Sequence, residues 1–245
     1  MASFIRILGL PFFHESLEKA LQYSENGGLF VFPSGPCLAE ADTHKDYYQA
    51  LRKSDFILVD SGFLSLMWRC MTGIGLKRIS GYQFLKAFLK NRAFRNNQSY
   101  FWVMPSTTLM HTHLKWLNTQ GIQTDTQQCY VAPDYTTAAI EDETLLKRIQ
   151  YQKPKYIIIA VGGGTQEKLG AFLKQNLDYQ PTILCIGAAL AFLSGAQVYI
   201  PDWADRAYLG WLLRILSHPS LYLKRYFKAW RLAKLLLKYK EKPLF

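Results

Sequence analysis

Three glycines, Gly162, Gly163 and Gly164, separate an apolar, β-branched run at 156–161 from a stretch with helical spacing at Leu169, Phe172 and Leu173. Strand, glycine turn and helix make a corner suited to an anion. Glycine lets the backbone come close to a phosphate, and the first amides of a helix turn unpaired N–H groups and the positive dipole end toward it. The pattern predicts a phosphate or sugar site, with Thr165, Gln166 and Glu167 in the helix's first turn. Equally, such a turn serves as a plain connection in many α/β proteins, because it lacks the G-x-G-x-x-G spacing and the P-loop lysine.

A second chemical group is Asp60, which closes the buried run 56–59 before Ser61 and Gly62 turn the chain into an apolar helix at 63–71. An acid at the carboxyl end of a buried strand faces the crevice where α/β sheets bind ligands. It also suits the N-cap of the helix that follows, and the sequence leaves both roles open. Lys77 and Arg78 lie in the loop 73–81. Cys37, Cys70, Cys129 and Cys185 form no C-x-x-C pair, so neither a zinc site nor a disulfide framework is indicated, and a reducing cytoplasm is the natural setting. His111 and His113 do not share a helix face and read as surface residues.

These groups need a scaffold, and the chain supplies alternating signals for one. Strands are expected at 5–8, 29–32, 56–59, 100–104, near 129–131, at 156–161 and at 182–186. A turn is expected at 9–11, and helices fill the intervals, with Ser16 a suitable N-cap for the first and a break near Asp42 and Thr43. Strand alternating with helix gives an α/β fold, a mostly parallel sheet flanked by helices in a Rossmann-like manner, over 1–201. The start of the chain, FIRILGLPFF, is too short and too broken by Gly9 and Pro11 for a secretory signal. The uncharged stretch 179–201 approaches the roughly 20 residues of a spanning helix. Its Pro181, Gly187, Gly195 and Pro201 instead divide it into strand, turn, short helix and a second strand-like run at 198–200.

From 202 to 245 the character changes to a basic helical C-terminal appendage. Residues 204–245 carry ten Lys and Arg against two acids, a net +8 of the chain's +11. In the helix expected at 221–239, Tyr222, Tyr226, Ala229, Trp230, Ala233 and Leu237 form one face, and Lys224, Lys228, Arg231, Lys234 and Lys238 another. Basic residues opposite Trp and Tyr suit a helix lying on an anionic membrane surface; a helix packed on its own domain with a solvated basic face would show the same pattern. Without lipid, the apolar face also suits pairing with a second copy. No nucleic-acid motif accompanies the charge, so nucleic acid is not the expected partner.

Taken in order, these segments resemble the WecG/TagA/CpsF glycosyltransferases over nearly the whole chain. The resemblance is carried by Ile7-Leu8-Gly9-Leu10-Pro11, Leu58-Val59-Asp60, Lys77-Arg78-Ile79-Ser80-Gly81, Ala132-Pro133 before an aromatic, and Gln166-Glu167 after the glycines. Further on come Pro201-x-Trp203, Leu209-x-Trp211-x-x-Arg214, His218-Pro219 and Arg225-Tyr226. It implies an inverting, metal-independent transfer from a UDP-sugar to a polyprenyl-diphosphate-linked sugar, often N-acetylmannosamine onto N-acetylglucosamine, by a peripheral protein on the cytoplasmic membrane face. No cofactor beyond the UDP-sugar substrate and no metal is implied. By position, Asp60 matches the family's proposed general base and Arg78 the arginine of its R-V-T-G turn. Gln166 and Glu167 would hold nucleotide or sugar, together with Ser34, Gly162, Gly163, Thr165 and Tyr135, while Arg206, Arg214 and Arg225 would meet the diphosphates.

Departures from the family pattern are Phe32-Pro33-Ser34 for its T-P-N turn, Met104-Pro105 for a glycine pair, Gly164 for a proline, and Tyr208-Leu209-Gly210-Trp211 for G-x-E-W. They bear on the sugar more than on the reaction class. Two other readings stay beside this one. Another nucleotide-dependent α/β enzyme, such as a methyltransferase, wants an acid at a strand end about 20 residues past the glycines, and Asp178 precedes Pro181 instead. A catalytically silent family member, acting as a membrane- or partner-binding module, would bury Asp60 as a helix cap facing no open cleft.

Overall fold

In a computed structural model, residues 2–91, 99–135, 140–197, 216 and 230–245 are described. Eight strands form one sheet: β1 Phe4–Ile7, β2 Leu10–Phe13, β3 Gly28–Val31, β4 Phe56–Ile57, β5 Tyr100–Met104, β6 Cys129–Val131, β7 Tyr156–Ile159 and β8 Thr182–Cys185. Their order is β1-β2-β4-β3-β8-β7-β5-β6. All neighbours run parallel except β1 and β2. The central strands β3, β5, β7 and β8 are buried along their whole length, which explains their continuous apolar runs where a half-exposed strand would alternate.

Helices α1 Leu17–Ser24, α5 Gly81–Lys90, α6 Thr107–Thr119 and α9 Ala189–Leu193 cover one side of the sheet. There they pack on Phe30, Leu58, Trp102, Ile158 and Leu184. On the other side, α2 Gly35–Leu38, α3 Lys45–Arg52, α4 Gly62–Thr72, α7 Glu143–Gln152, α8 Thr165–Asn176 and α10 Trp230–Tyr239 pack on Leu29, Val31, Ile57, Phe101, Val103, Ile157 and Ile159. The two sets of strand residues alternate along the chain, as period-two geometry requires. Ser16, Ser34, Ser61, Ser80 and Ser106 each cap the helix that follows, accepting a backbone N–H three residues on.

Three expectations are corrected. The turn lies at Leu8 and Gly9, both with positive φ (52° and 76°), and Leu10–Phe13 continues as a second strand of a hairpin. The pair Leu8-Gly9 lacks the Asn-Gly signature of such a turn. It is held from afar: Leu8 N–H donates to the Lys240 carbonyl and Gly9 N–H to that of Glu241. His113 is buried at 1% exposure, with Nδ1 2.8 Å from Ser194 Oγ, because it shares the packed face of α6 with Met110, Leu114 and Leu117; His111 is exposed. In α10 the buried residues are Leu232, Ala233, Leu235 and Leu236, while Trp230 and Leu237 are each 63% exposed. The true core face is therefore rotated from the one containing Trp230 and Leu237. Fully burying Leu232 and Leu236 contributes roughly 2 kcal/mol each, and Arg231 adds a two-point bond to Asp42 at 2.9 Å. The remainder of the helix expected at 221–239 and the strand-like residues 198–200 lie outside the described residues.

The tail ends on Tyr48. Its buried hydroxyl donates to the Leu8 carbonyl at 2.7 Å and accepts from Leu244 N–H at 3.3 Å, and its ring meets Phe245 at 5.6 Å. A Tyr48→Phe variant keeps the ring and strands both partners. It is expected to lose about 1–3 kcal/mol, read as a lower urea midpoint.

Candidate functional site

Every residue singled out for chemistry among the described residues lies on a loop or first helical turn at the carboxyl ends of the parallel strands. Strand β5 leads into α6 on one side of the sheet, toward β6. Its neighbour β7 leads into α8 on the other side, toward β8. Connections that part in this way open a crevice between the strand ends. A cavity of about 250 Å³ lies there, walled by Pro105 after β5, Ala132, Pro133, Asp134 and Tyr135 after β6, and Val161, Gly162 and Thr165 after β7.

Tyr135 gives this cavity its ring and commits its hydroxyl elsewhere, donating to Asp142 Oδ2 at 2.6 Å. Tyr130 donates to the same carboxylate at 2.9 Å. Asp142 also caps α7 by accepting Leu145 N–H. The Tyr135 hydroxyl is pushed far above its usual range, first by burial and then by this bond to Asp142. Asp142 is thus a site-shaping residue that the sequence reading missed. The signal was present, an acid directly before Glu143 at the start of an apolar helical period.

The glycine loop has two structural demands. A side chain at Gly163 would put its Cβ 2.8 Å from Cys37 Sγ and 4.0 Å from Ser34 Oγ, and Gly164 sits at φ +88°. Gly163 therefore brings the β7 loop against the β3 loop that holds Ser34, whose hydroxyl caps α2 by accepting Cys37 N–H. Beneath the loop lie Gln166 and Glu167, 2% and 0% exposed. Glu167 Oε2 accepts Gly164 N–H at 2.7 Å, and Oε1 accepts from Gln166 Nε2 at 3.2 Å. Gln166 Oε1 in turn accepts Gly187 N–H at 2.6 Å, beyond the end of β8. The pair ties the loops after β7 and β8 together. Desolvation pushes the Glu167 carboxyl up to about 7 against the pull of its three hydrogen bonds, and the negative charge of Asp60 adds to the rise.

Asp60 lies four strands from the cavity wall at β5, past Val59, which bridges Arg78. Ser61 caps α4, so Asp60 is not the cap of that helix. Its Oδ1 accepts Gly81 N–H at 3.0 Å, the first residue of α5, and its carbonyl accepts Arg78 Nε at 2.9 Å. Asp60 and Arg78 are half-buried. The structure thus brings Asp60, Arg78, Ser34, Gly162, Gly163, Thr165 and Tyr135 to one edge of the sheet. Arg206, Arg214 and Arg225 lie outside the described residues. Among the described residues no group of three or more His, Cys, Asp or Glu could hold a metal ion, and no helix is long and apolar enough to cross a membrane.

The family model for "Glycosyl transferase WecG/TagA/CpsF family" matches residues 5–244. The chain belongs to this family of glycosyl transferases. Among known proteins it is similar to the N-acetylglucosaminyldiphosphoundecaprenol N-acetyl-beta-D-mannosaminyltransferase of Bacillus subtilis (strain 168), 24% identical over 223 residues, covering 87% of this chain and 83% of the relative. The protein of the same name in Staphylococcus aureus (strain NCTC 8325 / PS 47) is 24% identical over 212 residues, 80% of this chain and 78% of the relative.

Proposed function

We propose that this chain is an inverting, metal-independent transferase. It moves N-acetylmannosamine or a related hexose from a UDP-sugar to a polyprenyl-diphosphate-linked sugar, at the cytoplasmic face of a bacterial membrane, for surface polysaccharide synthesis. Residues 1–201 are the catalytic domain, and 202–245 the membrane-associating appendage. The observation that carries the reading is the alignment of an acid, an arginine and a glycine-loop crevice along one sheet edge in a chain of this family. The names of the two relatives support the choice of sugar and lipid acceptor.

In this reading the nucleotide enters the cavity beside Tyr135, and the backbone at 162–165 meets the diphosphate. Asp60 takes the proton of the acceptor hydroxyl as that oxygen attacks the anomeric carbon, and the bond to the UDP oxygen breaks on the opposite side. Positioned bases contribute on the order of 10²–10⁴ in rate. Cations and amides aimed at the leaving oxygen contribute comparably, a role for Arg78 and, beyond the described residues, Arg206, Arg214 and Arg225. Gln166 and Glu167 act through the loops they hold.

UDP release by the purified full chain, across a panel of UDP-sugars with a short-chain polyprenyl-diphosphate-sugar acceptor, tests this. Acceptor-dependent release that survives a chelator is expected. No turnover with any donor, together with no UDP binding by calorimetry, would remove the enzyme reading.

A further inference from the structure

Helix α4 is apolar on two faces. Leu64 and Trp68 enter the core, while Phe63, Leu66, Met67 and Cys70 form a second row at i, i+3, i+4 and i+7. Phe63 and Met67 are only partly buried. Leu66 is 60% exposed and Cys70 is exposed, and just beyond the capping Gly73, Ile74 is 50% exposed. A surface helix ordinarily places polar residues on such a row.

The row continues onto α10. The rings of Phe63 and Trp230 meet at 5.7 Å, and Trp230 and Leu237 stand exposed beside Lys234 and Lys238. Within the two helices the charged residues are all basic, although Arg231 is paired with Asp42, so Arg69, Lys234 and Lys238 are the cations that would meet a bilayer. Residues 62–78 carry Arg69, Lys77 and Arg78 with no acid, and 230–240 carry Arg231, Lys234, Lys238 and Lys240 with no acid. Apolar side chains edged by cations match the headgroup boundary of an anionic bilayer, where the chains enter the acyl layer and the cations stay with the phosphates. Position adds a functional direction: α4 begins two residues after Asp60 and extends about 16 Å from it.

We infer that the joined face of α4 and α10 is the surface that docks on an anionic bilayer, with α4 leading lipid-borne substrate toward Asp60. This surface deepens the membrane-associating role proposed for 202–245 by adding the exposed row of α4 to it, and that the lipid carries the acceptor also rests on the proposed function. The test is sedimentation of the full chain with phosphatidylglycerol-containing and purely zwitterionic vesicles. Wild type is compared with Leu66→Glu, Ile74→Glu, Leu237→Glu and the control Tyr151→Glu, which is 90% exposed on α7. Each face variant is expected to bind the anionic vesicles at least about tenfold more weakly, with the control unchanged and all far-UV spectra alike. Turnover with a short, water-soluble acceptor should be unaffected by Leu66→Glu, and turnover with a long-chain acceptor in vesicles should fall. Wild-type vesicle binding in all three face variants, or no binding by wild type itself, would overturn the inference. Loss of turnover in wild type with every donor would defeat the proposed function and leave the sedimentation result to decide this surface alone.

Discussion

An Asp60→Asn variant is expected to fold and to bind UDP within a few-fold of wild type while acceptor-dependent UDP release falls on the order of 10²–10⁴-fold. The substitution is close to isosteric. The Asn side-chain oxygen can still accept Gly81 N–H, the bond that Asp60 Oδ1 makes at the start of α5, and the backbone carbonyl still receives Arg78 Nε. What disappears is the charge and the basicity. An effect through loop structure alone would weaken UDP binding and lower the urea midpoint together with the rate. The base role predicts a fall in kcat with both of those held. A second readout is independent of turnover: removing the Asp60 charge relieves part of the upward push on Glu167, so the Glu167 carboxyl should titrate lower in Asp60→Asn. Asp60→Asn with wild-type turnover would move the base to another group.

The parts of this molecule that could be read from the sequence are those decided within a few residues. The strand–glycine–helix corner at 156–173, the serine at 16 as a cap, the break between α2 and α3 and the parallel α/β class all follow from local periodicity and turn chemistry. What could not be read depends on partners distant in sequence. The hairpin turn at Leu8-Gly9 is completed by carbonyls of Lys240 and Glu241, and a Cβ at Gly9 would lie 2.5 Å from Pro243 Cα. The core face of α10 depends on which side of the helix meets α4 and α2, and periodicity does not fix it where the apolar residues spread over more than half of the circumference, with Trp230, Ala233 and Leu237 beside Leu232, Leu235 and Leu236. In the site, sequence order puts Gln166 and Glu167 at the mouth of the crevice, yet the carboxylate turns back to Gly164 and the amide to Gly187. That reversal is the side-chain half of a capping box: Glu167, the third residue of α8, reaches back to the otherwise unpaired N–H of the N-cap residue Gly164. His113 is the opposite case: its spacing from Met110 and Leu117 marked a buried position, and its chemistry drew attention away from it.

His113 and Glu167 lead to an expectation about pH, because each is held in the fold with a displaced proton equilibrium of opposite sign. Glu167 has its pKa raised by burial to about 7 from a usual 4.5. The folded state then holds the proton more tightly than the unfolded chain. Any stability this gives is complete below about pH 4.5 and is lost as pH rises through 7, a change of about 3 kcal/mol. His113 has its pKa lowered by burial to about 4 from 6.5. It favours the fold above pH 6.5, and the benefit is lost as pH falls through 4, again by about 3 kcal/mol. The two slopes overlap and oppose each other between about pH 4.5 and 6.5, so their joint contribution to wild-type stability should be nearly flat there. Single variants expose each slope. In Glu167→Gln the falling component is gone, and stability relative to wild type should rise with pH up to about 7. In His113→Gln the rising component is gone, and stability relative to wild type should fall with pH from about 4 to 6.5. The two residues lie on opposite sides of the sheet, on α8 and α6, so the double variant should return a flat difference from wild type over that window. Urea denaturation at half-unit pH steps measures all four proteins. Parallel pH curves for wild type and Glu167→Gln would show that Glu167 is ionised as readily in the fold as out of it, and that the glycine loop is held by an ordinary carboxylate.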